Sequence, residues 1–215
     1  MTRKYFLIGL AILAASLVAT AVLYPSLPAC VPTHWNARGR IDGYSAKWTL
    51  FVFGPGILAA LLGMFAALPW LSPRHFTVDT FRSTYLYIMV LILACFAYFH
   101  ALMLWAARAG HVDISKAIWG GICLLFVLLG NVMGKVRRNF YIGIRTPWTL
   151  ANERVWDATH RFGARTMVLG GVAGLVLSYA GTAFWVPLAV LMAGAFAPVI
   201  YSLVYYKQLE HRGQI

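Results

Sequence analysis

Long apolar runs separated by short polar stretches set the rhythm of this chain. Apolar residues dominate 5–23, 49–68, 85–105, 117–133, 166–180 and 184–206. Most of these runs reach the length that crosses a hydrocarbon core of ~30 Å at 1.5 Å per residue. The pattern predicts an all-α fold, a polytopic membrane bundle of six transmembrane helices in a single domain. Met1 to Lys4 is a short basic start, and with the run behind it resembles the front of a signal peptide. Tyr24-Pro25-Ser26-Leu27-Pro28 is a poor small-residue cleavage site, however, and the run is long for a signal h-region, so the first run reads as a retained span. Gly54-Pro55-Gly56 near the start of the second run predicts a kink or a broken first turn, because proline withholds a backbone donor.

Composition strengthens this reading. The 215 residues are 61% hydrophobic and 11% charged, whereas soluble domains carry roughly 25% charged residues. The formal charge of +12 reads as membrane topology and gives no reason to expect direct nucleic-acid binding. Thirteen basic residues fall at the N-terminus, in the second and fourth connections and in the tail, against five in the other connections (Arg38, Arg40, Lys47, Arg108 and Lys116). By the positive-inside rule both termini and the segment 134–165 are cytoplasmic, and the loop 24–48 faces outward. Three cysteines, two of them in apolar runs, do not make a disulfide framework.

No Asp, Glu, Lys or Arg lies within any of the six runs. Pumps and ion-coupled transporters usually keep titrating groups at membrane depth, so an exporter of amphipathic compounds is the weaker alternative. His100, roughly 7 Å inside the outer end of the third span at 1.5 Å per residue, is expected to be a hydrogen-bonded interfacial histidine. Gly130-x-x-x-Gly134, Gly170-x-x-x-Gly174 and Ala189-x-x-x-Ala193 predict close helix packing within the bundle.

The loop 24–48 opens with three prolines and continues through turn signals at Asn36-Ala37-Arg38-Gly39 and Asp42-Gly43. A compact loop or short hairpin is expected. Trp35, Tyr44 and Trp48 suit a headgroup-level position. His34 and Asp42 can meet across such a hairpin to fix the loop or touch an outside ligand. Two candidate ligands fall short of the three or four that a zinc site needs.

The longest polar stretch, 141–165, carries Arg, Trp, Asn and His side chains together with Glu153 and Asp157. Thr146-Pro147 marks a turn or helix entry, and an amphipathic helix is expected from Thr149 to about Phe162. Asn152, Trp156 and His160 form one column at i, i+4, i+8, beside a stripe of Trp148, Val155 and Phe162. Two readings stay open. The helix can lie in the interface with its tryptophans down and its arginines toward anionic headgroups, or Arg145, Asn152 and His160 can line a pocket for a polar partner. An enzyme would pair His160 with Asp157 or Glu153, yet no nucleophile, metal set or cofactor motif accompanies them.

Gly143-Ile144-Arg145-Thr146-Pro147-Trp148-Thr149-Leu150, followed by Asn152, Val155-Trp156 and Thr159-His160-Arg161-Phe162, resembles the signature of SdpI-type membrane proteins, immunity proteins for the sporulation-delaying toxin. Pro32-Thr33-His34-Trp35-Asn36, Gly39, Asp42-Gly43-Tyr44 and Lys47 are similar to a small domain of unknown function that often precedes that signature. The two matches cover about a fifth of the chain. The resemblance implies a multi-span protein of the cytoplasmic (inner) membrane that protects its host from a secreted peptide toxin. In the founding system such a protein also holds a small transcriptional repressor at the membrane. It brings no catalytic residue, metal or cofactor. Arg145, Trp148, Asn152, Trp156 and His160 inside, with His34, Trp35, Asn36 and Asp42 outside, are the expected partner-binding residues.

Overall fold

The structure is a computed structural model, and it describes residues 2–36, 40–73, 76–110 and 114–215. Helix α1 (Thr2–Leu23) runs into a 3-10 turn (Tyr24–Ser26) and then a two-stranded antiparallel hairpin, β1 (Cys30–Trp35) and β2 (Ile41–Ala46). Helices α2 (Thr49–Leu71), α3 (Arg82–Ala109) and α4 (Ser115–Met133) follow. A short α5 (Pro147–Ala151) leads into α6 (Glu153–Tyr179) and α7 (Trp185–His211). Among the described residues the fold is mainly helical, with the hairpin and the irregular segment 134–146 as its chief exceptions. Residues 37–39, which include the Arg38 and Gly39 of the predicted turn, lie outside the described residues, as does Arg74 of the charge count.

Six of these helices are long and apolar enough to cross a membrane. What they bury supports that assignment. Helix α1 buries Gly9, Ser16 and Thr20 and exposes Leu7, Leu10, Leu17, Val18 and Val22. Helix α6 buries Gly163, Gly170, Gly171, Gly174 and Ser178 and exposes Leu169, Val172 and Val176. A water-soluble helix is ordered the other way, with its large aliphatics inside. In lipid, apolar side chains gain nothing by facing each other, so small residues that let backbones approach take the inner face. The chain is a multi-pass membrane protein.

The residues group into two compact units, 1–66 with 89–122, and 67–88 with 123–215. In the first, Gly9 brings α1 onto Leu62 and Leu93, whose methyls stand 3.0 and 3.1 Å from where a Cβ would be. The hairpin is seated on the same unit, with Val31 buried among Leu27, Leu50, Leu104 and Ala107. Lys47 Nζ donates to the carbonyls of Tyr24 and Leu27 at 3.2 and 3.3 Å and stands 4.6 Å from the Tyr24 ring, tying the hairpin's end to the end of α1. The break expected at Gly54-Pro55-Gly56 is a π-turn over Val52–Gly56, and α2 continues beyond it.

In the second unit the small-residue contacts predicted at Gly130 and at Gly170-x-x-x-Gly174 are present, whereas Ala189 and Ala193 are exposed on α7, because Leu191 and Gly194 take its inner face. A Cβ at Gly130 would stand 3.0 Å from Ala164 O, and one at Gly171 would stand 2.8 Å from Cys123 O, so α4 and α6 touch backbone to backbone. Gly170 faces Gly194 on α7 in the same way, and Thr166 Oγ1 donates to Gly194 O at 2.8 Å. One expectation changes. The polar segment does not form a separate interfacial helix followed by a span at 166. Asn152 breaks the chain after α5, and from Glu153 a single helix carries both the polar residues and the fifth apolar run.

Candidate functional site

The segment after α4 is built around Asn139, which is fully buried. Its Nδ2 donates to the carbonyls of Arg137 and Ile142 at 2.8 and 2.9 Å. Its Oδ1 accepts from the amides of Tyr141 and Ile142 at 2.8 and 2.7 Å. Spending a whole side-chain amide on its own loop sets a tight turn. Gly143 follows at φ 115°, where a Cβ would also overlap His160 Nε2. Its absence lets the Ile144 N–H donate to that nitrogen at 3.0 Å.

His160 is buried. Its Nδ1 lies 2.8 Å from Trp156 O, an acceptor only, so Nδ1 carries the proton and the ring is neutral. Trp156 stacks on it with centroids 4.0 Å apart, and the Trp156 indole N–H donates to Val136 O at 2.8 Å. Together the two rings clamp both ends of the connecting segment onto α6. Beyond them Thr146 caps α5 in a reciprocal box with Thr149, and Thr146 Oγ1 lies 3.0 Å from Ser202 Oγ on α7. The predicted column thus separates by role. Trp156 and His160 shape the segment from inside. Asn152 is the N-cap of α6, accepting from Arg154 N and Val155 N at 2.9 and 3.2 Å. Trp148 is half-buried on α5. Arg145 is exposed and donates to Phe140 O.

What the segment shows to solvent is basic. Lys135, Arg137, Arg145, Arg154, Arg161 and Arg165 are all exposed. Asp157 pairs with Arg137 at 3.5 Å. Arg154 donates to Gln214 Oε1 at 3.2 Å. Sequence reasoning missed Asn139 and Ser202, and it named Gly143 and Thr149 only within the signature and as a helix start, without the contacts they make.

The hairpin is the second candidate. His34 Nδ1 and Asp42 Oδ1 are 2.5 Å apart across the strands, with side chains 70% and 42% exposed, as the spacing suggested. Their register depends on Gly43, where a Cβ would stand 2.8 Å from the His34 Cβ. No group of three or more His, Cys, Asp or Glu that could hold a metal occurs among the described residues. Asn36 closes the strand ends, its N–H donating to Arg40 O at 2.9 Å and its Oδ1 accepting from Arg40 N at 3.1 Å. Trp35 is half-buried, with its indole nitrogen inside the fold.

Comparison with known proteins places both regions. Residues 135–202, which hold Asn139, Gly143, Trp156, His160 and Ser202, match the SdpI/YfhL protein family. The chain carries an SdpI/YfhL-family region. Residues 11–59, which hold the hairpin, match a domain of unknown function (DUF1648). Immunity protein SdpI of Bacillus subtilis (strain 168) is 27% identical over 210 residues, 96% of this chain and 98% of that protein. No solved structure gives a significant match. The SdpI/YfhL likeness and the six apolar helices make this a multi-pass protein of the bacterial cytoplasmic membrane.

Proposed function

We propose that this protein is a membrane immunity protein. It meets a secreted peptide toxin at the hairpin and reports it through the basic segment to a cytoplasmic partner, a small transcriptional repressor. The observation that carries this reading is likeness to an immunity protein along nearly the whole of both chains, spanning the hairpin and the segment alike. The basic excess on the segment's side favours N-in/C-in topology, with the hairpin outside. On this reading His34, Trp35, Asn36 and Asp42 form the outer contact surface. Arg145 and the neighbouring exposed arginines form the inner one, Trp148 borders it, and Asn152, Trp156 and His160 hold its shape. The role is one of binding, with no chemical step.

The test is survival of a toxin-sensitive host expressing this chain during exposure to the sporulation-delaying toxin. The intact protein protects. His34→Ala and Arg145→Ala, present at wild-type amounts in the membrane, lose protection. Equal protection by both variants refutes the assignment of the two surfaces.

A further inference from the structure

The first unit holds a polar cluster that neither binding surface uses. His100 on α3 is 2% exposed. Thr20 Oγ1 donates to Ser16 O at 2.7 Å, so its oxygen is left to accept from His100 Nε2, 2.8 Å away. The ring proton is therefore on Nε2. Among the described residues Nδ1 is a bare acceptor without a partner, and the buried Ser16 Oγ has none either. Two unspent polar groups at membrane depth are costly. The ring is held by Gly54, where a Cβ would overlap its atoms. Gly54 lies in the π-turn Val52–Gly56, whose Pro55 has no N–H to give. Turns of this kind are frequent at functional sites.

The cluster shares its backbone with the hairpin's seat. Val31 packs with Leu50 and Leu104, and Ala19, Leu23 and Met103 pack against the same group. Leu50 lies one turn before Gly54, Ala19 and Leu23 flank Thr20, and Met103 and Leu104 lie one turn after His100.

We propose that His100, Thr20 and the Gly54 turn form a two-state clasp through which displacement of the hairpin is passed into the membrane-spanning part of the first unit. The proposal deepens the immunity reading, because a peptide that moved the hairpin would be its input. In the state seen, Gly54 walls the ring against Thr20. In the other, α1 and the π-turn shift, and Nδ1 and the Ser16 hydroxyl find hydrogen-bond partners. Such coupling is reciprocal.

The test uses the full chain in lipid nanodiscs and needs no toxin, so its outcome is separate from that of the survival assay. Lys47→Met loosens the hairpin's end, and Thr20→Val opens the clasp. The readouts are hydrogen exchange of amides 30–46 and the side-chain ¹⁵N signals of His100, assigned by their loss in His100→Gln. Thr20→Val is expected to speed exchange in the hairpin about fivefold or more, and Lys47→Met to shift the His100 signals. The double variant is expected to fall short of the product of the single effects. Unmoved His100 signals in Lys47→Met, or effects that multiply independently, overturn the clasp. Should Thr20→Val not fold, the His100 signals in Lys47→Met decide alone.

Discussion

Trp156 and His160 do at the residue scale what a disulfide or metal does elsewhere: they hold an irregular segment in one shape. Trp156 is fully buried and its only polar atom is spent on Val136 O. Trp156→Ala is expected to cost about 3–5 kcal/mol, read as a lower thermal midpoint of the detergent-solubilised protein. Trp156→Phe keeps most of the packing but strands the carbonyl, for about 1–3 kcal/mol. Gly143 offers a second check. Gly143→Ala meets both the His160 ring and an unfavourable φ, a combined strain of about 1–3 kcal/mol. Gly134→Ala, with nothing nearer than 3.7 Å, is expected to leave the midpoint unchanged. The sequence made Trp156 and His160 legible as neighbours on one face of a helix, though Asn152, read into the same column, is the extended N-cap before it. It could not say that the face points inward, because spacing gives an angle around a helix axis and not what lies beside it.

At the scale of elements, α1 and the apolar part of α6 turn small residues inward and aliphatics outward, while α2 and α3 supply the large buried side chains, Leu58 and Leu62 with Met89 and Leu93. Gly171→Leu places a branched side chain where Cys123 O and the Val127 side chain already stand. It is expected to part α4 from α6 and leave a species that aggregates on size-exclusion chromatography. Leu169→Ala removes a side chain that is 69% exposed and is expected to elute as the wild type does. Span existence was readable from run length alone. The start of α6 was not, since an interfacial helix and the first turns of a tilted span share the same periodicity. The boundary is set by Asn152 accepting from the amides of Arg154 and Val155 in the turn it caps. The hairpin was legible from the turn signal that begins at Asn36, whereas Asp42-Gly43, read as a second turn, lies inside β2 with Gly43 paired to His34. Its seat on α1, α2 and α3 was not, because Val31, Leu50 and Leu104 lie in separate parts of the chain.

For the whole molecule, the charge distribution makes a prediction about sides. Cys30, exposed at the start of β1, is expected to react with a membrane-impermeant maleimide in intact cells. A Cys95→Ala, Cys123→Ala, Cys30→Ala protein carrying Arg145→Cys is expected to react only after permeabilisation. The reverse pattern overturns the N-in/C-in arrangement. Chain length, apolar run lengths and the side preference of Lys and Arg belong to the sequence by itself, because a bilayer imposes one thickness and one charge asymmetry on every segment alike. Tertiary structure alone decided that Trp156 and His160 are scaffold while the arginines face solvent. It alone decided that His100 finds Thr20 across the bundle rather than water at the surface. Both outcomes turn on which distant residues supply a carbonyl, a hydroxyl or an absent Cβ at the right place, and hydropathy and spacing carry no information about that.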